Sequence, residues 1–338
     1  MVDRRALSKD FLATQGWADA QRSFLAGDAS DRSYDRLRNA TGSVVLMDAP
    51  PGKGDDPKDF IRIAAHLRKI GLSAPKVLAT DLEQGFLLIE DFGDDVFARV
   101  LQQAPERETE LYIGATDVLL RLQAEPAPSG LINLSAQDWA EAAALSLDWY
   151  AGSLGPVADA SRARFVNVLG GLMADHADGP RVVILRDYHA ENLLLLPDRA
   201  GLAAIGILDF QLAQLGQPAY DLVSLVQDAR RDVSPGAAQA AISHFAQQKG
   251  MAVGDLALPL AVLGAQRALR IIGVFAKLCV VAGKPGYLQL LPRVWGHLLA
   301  CLDHPKLAEL RNICIETLPP PNDEAVQAIG RKCATPSP

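Results

Sequence analysis

Residues 182–192 read VVILRDYHAEN, and residues 205–210 read IGILDF. The first stretch is an apolar strand followed by Asp187, with Asn192 five positions further along the chain. The second stretch is another apolar strand, and it ends in Asp209. The segments 192–196 and 202–208 predict a hairpin, because two apolar runs flank a turn that contains proline and glycine. Such a hairpin would return Asp209 to the side of Asn192.

These three polar side chains fit magnesium-dependent phosphoryl transfer from ATP. The reaction needs a proton acceptor for the attacking hydroxyl and cations on the triphosphate, and little covalent chemistry from the protein. We predict that Asp187 is the catalytic base and that Asn192 and Asp209 bind Mg²⁺, which prefers hard oxygen ligands. A single Asp or Asn at a strand end is an ordinary turn residue. The order of all three around one predicted hairpin favours the catalytic interpretation.

The order of the predicted elements indicates the fold class. Residues 1–92 contain a predicted helix, several apolar strands and an amphipathic helix over 57–70. The rest of the chain, 93–338, is mostly helical apart from the hairpin, with helices predicted at 106–125, 136–150, 158–177, 235–250, 256–283 and 286–303. This order predicts an α+β, bilobal protein-kinase-like fold with a small β-rich N-lobe that binds the nucleotide and a larger, mainly helical C-lobe. The fold alone does not establish function.

Composition excludes several classes of protein. The chain has 338 residues and a net charge of −7, which argues against a nucleic-acid partner. It contains no uninterrupted apolar run near the ~18 residues of a membrane span, and its first residues lack the apolar region of a signal peptide. Its 4 cysteines form no Cys-x-x-Cys pair, which is typical of reduced thiols. We therefore expect a cytoplasmic monomer with a small-molecule partner and no membrane.

Several motifs carry a family resemblance. RDYHAEN at 186–192, LDFQ at 208–211 and AYDLVSL at 219–225 resemble the aminoglycoside phosphotransferase/choline kinase superfamily. Further strings resemble, within that superfamily, the bacterial N-acetylmuramate/N-acetylglucosamine anomeric kinases of cell-wall recycling. They are GDAS at 27–30, MDAPP at 47–51, QGFLLIEDFG at 84–93, QDARRD at 227–232 and PRVW at 292–295.

The resemblance implies a reaction and a set of site residues. The reaction is transfer of the ATP γ-phosphoryl group to the C1 hydroxyl of an N-acetylated amino sugar. The resemblance also implies that Asp187 is the base and that Asn192 and Asp209 bind magnesium. The backbone around Glu90 and Phe92 would receive adenine, and the hairpin from residue 27 to residue 36 would cover the triphosphate.

The chain departs from the family pattern at two positions. Leu185 stands where the superfamily often has a histidine, and the strand at 44–48 lacks the lysine that kinase-like folds usually place on the phosphates. We expect Arg32 and Arg36 to replace that lysine, with Lys53 behind them, because a guanidinium can bind phosphate with two hydrogen bonds. The alternative is that both arginines are solvated positions of a hairpin.

The acceptor site is less defined by sequence. A muramyl sugar carries a carboxylate, which calls for a cation. Arg267 and Arg270 lie three residues apart on one predicted helix, so they could share a face, and His189 follows the base closely. We predict substrate contacts for these three residues, although helix arginines are more often solvated or salt-bridged. Two alternatives stay open: another hydroxyl acceptor, such as an aminoglycoside or choline, and a nucleotide-binding pseudokinase.

Overall fold

The computed structural model of the protein describes residues 3–27 and 32–334. Residues 28–31, part of the hairpin predicted to cover the triphosphate, lie outside the described residues, as do 335–338. The chain forms two compact units. The first comprises Met1–Arg107, Asp117–Gly130 and Leu185–Ala213, and the second comprises Glu108–Thr116, Leu131–Ile184 and Gln214–Pro338.

The first unit is built on a five-stranded antiparallel sheet. Its strands are β1 (Gln21–Gly27), β2 (Ser33–Asn39), β3 (Gly42–Asp48), β4 (Val77–Asp81) and β5 (Phe86–Glu90), in the order β1-β2-β3-β5-β4. β3 and β5 are central and buried, which explains their continuous apolar sequences. Leu46 and Leu88 face each other in the register and pack with Phe11 of helix α1 (Arg4–Thr14).

Three further helices accompany these strands in the sequence: one lies between β3 and β4, and two follow β5. α2 (Pro57–Lys69) begins with Asp56, whose side chain accepts a hydrogen bond from the Lys58 amide, and with proline at the first helical position. Its buried residues recur with helical spacing: Phe60, Ile63, Ala64 and Leu67. α3 (Phe97–Gln103) follows β5, and α4 (Glu108–Ala124) begins after a single 3₁₀ turn.

The predicted second hairpin is confirmed. β7 (Leu193–Leu195) pairs with β8 (Ile205–Ile207), and a short 3₁₀ turn at Gly201–Ala204 precedes β8. The Ile207 amide donates a 2.8 Å hydrogen bond to the Ser73 carbonyl, and the Ser73 hydroxyl donates to the Ala203 carbonyl. These bonds explain why Leu185–Ala213 belongs to the first unit. The predicted domain boundary after residue 92 stays a prediction. In the structure, the segment Leu185–Ala213, which contains the predicted catalytic residues, packs with the β-rich part of the chain.

The second unit is mainly helical. Besides the paired strands β6 (Val182–Ile184) and β9 (Gln214–Gly216), it contains α5 (Ala136–Ala143), a π-helical turn (Ser146–Ala151), α6 (Gly152–Leu154), α7 (Asp159–His176), α8 (Tyr220–Val226), α9 (Pro235–Gln248), α10 (Val253–Ala282), α11 (Leu291–Leu302), α12 (Ala308–Thr317) and α13 (Asp323–Gly330). The five-stranded sheet and this helical remainder confirm the predicted α+β class.

Helix α10 forms the centre of the second unit. Its length and composition would allow it to cross a membrane, yet 67% of its most apolar window is buried inside the protein. A Cβ added at Gly273 would lie 2.2 Å from the Leu145 carbonyl carbon, so glycine permits the close approach of α10 to the segment before the π-helical turn. Burial in the core therefore accounts for the apolar sequence of α10.

Candidate active site

The loop after β6 presents Asp187. Leu185 is buried, and Arg186 adopts a left-handed backbone with φ of 73°. The Asp187 amide then donates to the Leu185 carbonyl at 3.0 Å, which makes a tight turn. A left-handed φ is uncommon outside glycine and is often found at functional sites. The turn leaves the Asp187 side chain half-buried rather than in the core.

Asn192 and Asp209 are brought together by the β7–β8 hairpin. The Leu208 amide donates to the Asn192 carbonyl at 2.9 Å, so Asp209 directly follows a residue bonded to Asn192. The Asn192 side-chain nitrogen donates to the Asp187 carbonyl at 2.8 Å, which ties two of the three predicted residues to each other. Asp209 also has a left-handed backbone, with φ of 54°. Gln211 donates to its carboxylate at 2.6 Å and orients it.

This pair of side chains fits a magnesium ion in its chemistry. Because the Asn192 amide nitrogen is engaged with Asp187, its oxygen is the atom left to bind a cation, beside the Asp209 carboxylate. In the described ranges 3–27 and 32–334 there is no group of three or more His, Cys, Asp or Glu side chains that could hold a metal. A site of one carboxylate and one amide suits Mg²⁺, which usually keeps waters and takes its remaining ligands from substrate phosphates.

A cavity of about 380 Å³ in the first unit opens beside these ligands. Asn192 and Asp209 line it, and apolar walls come from β1, β3 and the β7–β8 hairpin. These wall residues are Leu25, Val45, Leu194 and Leu208. The segment from Ile89 to Asp94 forms another edge. An apolar slot with a polar end has the character of a nucleotide site.

Glu90 and Phe92, predicted to receive adenine, both line this cavity. The Glu90 carboxylate forms an ion pair with Arg199 and accepts a 3.1 Å hydrogen bond from the Lys76 amide. The Arg199 guanidinium also lies 5.0 Å from the centre of the Phe92 ring. Because the Glu90 side chain is engaged in these contacts, this segment can contact a ligand through its backbone. No sequence pattern indicates that Arg199 supports this segment.

Arg36 binds the acidic end of the same segment. Its guanidinium forms ion pairs with Asp94 at 2.8 Å and with Asp91 at 2.7 Å, and it donates to the Gly93 carbonyl at 2.9 Å. Burial lowers the pKa of Arg36, but the hydrogen bonds with Asp94 and Asp91 outweigh it and raise the pKa above its ordinary value. Ser43 also donates to Asp91. Arg36 therefore joins β2 to residues 91–94.

Arg32 lies at the metal end of the site. Its guanidinium is buried, with Nη2 3.4 Å from an Asp55 oxygen and 3.8 Å from an Asp209 oxygen. Met47, in the strand that usually carries the kinase lysine, is fully buried, and Lys53 is exposed. Of the two predicted arginines, Arg32 is thus the one beside the predicted metal ligand. Sequence reasoning missed Asp55, which directly precedes Asp56, the N-cap of α2.

The three predicted substrate residues belong to different units, and their contacts with a substrate stay a prediction. His189 is buried beside the base, and its Nδ1 accepts a hydrogen bond from the Glu191 amide at 3.4 Å. Arg267 and Arg270 belong to α10 in the second unit. Arg267 is buried and donates to the Gln227 carbonyl at 3.0 Å, whereas Arg270 is half-buried. The contacts of Arg267 are those of a residue that supports its own unit.

Comparison with known proteins gives consistent results. A family model described as "Phosphotransferase enzyme family" matches residues 21–255. The N-acetylmuramate/N-acetylglucosamine kinase of Caulobacter vibrioides is 34% identical, over 91% of this chain and 95% of its own. The protein of the same name from Pseudomonas aeruginosa is 32% identical, over 89% of this chain and 90% of its own.

Solved structures share the fold at lower identity. A putative aminoglycoside phosphotransferase from Ralstonia eutropha matches with a TM-score of 0.63 at 15% identity, covering 91% of this chain and 98% of its own. A choline/ethanolamine kinase family protein from Mesorhizobium loti matches with a TM-score of 0.62 at 14% identity, covering 97% and 99%. These structural likenesses confirm the predicted protein-kinase-like fold. The matching family model and the relatives above confirm the predicted superfamily resemblance.

Proposed function

The chain belongs to the phosphotransferase enzyme family, and from that premise we propose that it transfers the γ-phosphoryl group of ATP to the C1 hydroxyl of N-acetylmuramate or N-acetylglucosamine. The names of relatives at 34% and 32% identity support the amino-sugar acceptor. The observation that carries the reaction type is the link between Asp187, Asn192 and Asp209 beside an apolar cavity.

The roles of the residues follow from their positions. Asp187 accepts the proton of the acceptor hydroxyl as the phosphoryl group transfers. Asn192 and Asp209 would hold Mg²⁺, which supplies positive charge to the phosphates when bound. The Asn192–Asp187 hydrogen bond keeps the base and the ligand set in one fixed arrangement.

The nucleotide base would occupy the apolar cavity. Glu90 and Phe92 contribute through their backbone, because the Glu90 carboxylate is engaged with Arg199. We assign the phosphate contact to Arg32, which lies beside Asp209. Arg36, whose guanidinium is engaged with Asp91 and Asp94, holds the segment after β5 in place. His189 supports the loop of the base.

An Asp187→Asn variant tests the proposed base. We expect kcat to fall by roughly 10²-fold or more, the range of general-base contributions, while ADP binding measured by calorimetry stays unchanged. The matched control is Asp198→Asn, at an exposed acid of the β7–β8 connection. Near-normal turnover in a folded Asp187→Asn protein would contradict the assignment.

An acceptor panel tests the substrate. The purified protein is supplied with ATP, Mg²⁺ and one acceptor: N-acetylmuramate, N-acetylglucosamine, an aminoglycoside or choline. We expect ADP release only with the amino sugars, and a phosphorus NMR spectrum with the couplings of an anomeric phosphate. A product phosphorylated at the 6-hydroxyl, or turnover only with an aminoglycoside or choline, would refute the proposed acceptor position or class.

Such a kinase would act in the cytoplasm, where ATP is available, and we propose that it works there as a monomer.

A further inference from the structure

We infer that Asp55 is a positioning residue for Arg32, and that the Arg32–Asp55 ion pair replaces the lysine–glutamate pair on which kinase-like sites usually depend. This inference rests on the proposed function, because it assigns a task at the phosphate end of the same site. Kinase catalysis ordinarily requires a β3 lysine that is held on the phosphates by a glutamate of the following helix.

Both members of the usual pair are missing from this chain. The strand β3 contains no lysine, and Met47 within it is fully buried. The helix α2 that follows contains no glutamate in its thirteen-residue sequence PKDFIRIAAHLRK. The loss of one member alone would leave the other charge without its function. The loss of both is the pattern expected when another pair has taken over their task.

Two charged residues lie on chain segments next to the positions where kinases usually have the lysine and the glutamate. They are Arg32 and Asp55. Arg32 directly precedes β2, the neighbour of β3 in the sheet. Asp55 directly precedes Asp56, the cap of α2. The two charged groups approach to 3.4 Å, with the Arg32 side chain 3% exposed and the Asp55 side chain 26% exposed. At this burial a charge pair is screened far less by solvent than a surface pair is.

A second acid close to Arg32 explains why a positioning acid is needed. Arg32 Nη2 also lies 3.8 Å from the Asp209 carboxylate, a proposed ligand of the metal. A guanidinium drawn fully onto Asp209 would compete with a divalent cation for the same oxygens. Asp55 also attracts Arg32 and does not belong to the proposed ligand set. It therefore keeps Arg32 close to the phosphates while leaving Asp209 available.

The test uses the full-length protein and the variant Asp55→Asn. We expect the Mg²⁺ concentration for half-maximal rate to rise several-fold, because Arg32 then competes for Asp209. We expect kcat to fall by roughly 10- to 100-fold, the range produced when a catalytic group is misplaced by about 1 Å. Asp55→Glu, which keeps the charge, should recover part of both losses. The matched control is Asp56→Asn at the adjacent exposed acid, where asparagine can still cap α2.

A double-mutant cycle separates positioning from a structural role. Binding of ADP with Mn²⁺ is measured by calorimetry for the wild type, Arg32→Gln, Asp55→Asn and the double variant. If Asp55 acts through Arg32, Asp55→Asn weakens binding in the wild type and changes it less than twofold, or about 0.4 kcal/mol, once Arg32 is already Gln. Equal losses in both backgrounds, or an Asp55→Asn protein with normal metal dependence and kcat, would overturn the inference.

These readouts distinguish the inference from the proposed function. Calorimetry with ADP and Mn²⁺ requires no acceptor, so it reports on Arg32 and Asp55 even if no amino sugar is phosphorylated. A protein that phosphorylates only choline would refute the proposed acceptor and leave the cycle intact. Unfolding by urea for each variant shows that a loss of binding is not a loss of folding.

Discussion

Substitution of Arg36 by methionine should destabilise the first unit strongly. The change keeps most of the aliphatic length and removes the guanidinium from between Asp91 and Asp94. Asp91 is nearly buried, with a side chain 7% exposed, so the variant leaves a carboxylate with its charge uncompensated by arginine. Removing one partner of a buried ion pair costs about 3–5 kcal/mol. Ser43 and the Gly93 amide still donate to Asp91, which places the expected loss near the lower end of that range.

The partner acids provide the matched comparison. Asp94 is 45% exposed, so Asp94→Ala should cost only about 0–1 kcal/mol, as exposed ion pairs do. The double variant Arg36→Met/Asp91→Leu should recover part of the loss, because replacing both partners of a buried pair removes the uncompensated charge. The assay is urea unfolding at pH 7, followed by circular dichroism. A loss below about 1 kcal/mol for Arg36→Met, or equal losses for Arg36→Met and Asp94→Ala, would refute this reasoning.

Three further predictions concern packing, pH and thiol reactivity. Gly206→Ala should weaken ADP binding in calorimetry and cost about 1–3 kcal/mol of stability, because the added Cβ would lie 2.8 Å from the Phe92 ring. The control Gly286→Ala should change neither ADP binding nor stability, because nothing lies within 4 Å of its added Cβ. Burial raises the pKa of Asp91, but hydrogen bonds from Ser43 and Arg36 outweigh burial and lower that pKa in the folded protein. The ionised Asp91 therefore contributes stability that is complete above its ordinary pKa of 3.8 and is lost as the pH falls through the lower pKa of the folded state. The thermal midpoint of Asp91→Asn should therefore fall less than that of the wild type between about pH 5 and pH 2.5, and parallel curves would contradict this. Iodoacetamide should label Cys333 before Cys279, because Cys279 is buried and burial raises the pKa of its thiol to about 12. Peptide mass spectrometry that finds Cys279 labelled as fast as Cys333 would contradict this prediction.

Sequence patterns predict the local arrangement of residues that lie close together along the chain. Asp187, Asn192 and Asp209 are separated by one loop and one hairpin, and both could be predicted from apolar runs and turn residues. Alternation and turn chemistry act locally, so they fix where a strand ends and which residue follows it. The same logic predicted the amphipathic helix α2 almost to its observed bounds.

The parts that sequence reasoning missed depend on distant segments. Arg36 and Asp91 are 55 positions apart, and Arg199 and Glu90 are 109 apart. Local sequence patterns cannot predict such ion pairs, because an arginine can pair with any acidic residue that the fold brings near it. Burial makes the difference: the sequence predicted Arg36 as a phosphate ligand, with a solvated hairpin position as the alternative, whereas in the structure Arg36 is 5% exposed and paired with Asp91. The predicted helix at 136–150 likewise ends at Ala143. A π-helical turn follows from Ser146, and Gly273 of α10 closely approaches the segment between the two.

The left-handed backbone of Asp209 limits which residues evolution can place there. Asparagine, aspartate and glycine adopt that conformation with the least strain, and longer or branched side chains do so at greater expense. Glutamate, which offers the same carboxylate, therefore fits this position poorly, while asparagine fits its shape and lacks its charge. If Asp209 binds magnesium as proposed, both its carboxylate and its backbone conformation restrict the residues that fit this position. For the same reason Asp209→Asn, rather than an alanine variant, would give an inactive protein with an undistorted loop, suited to capturing both substrates together in a crystal.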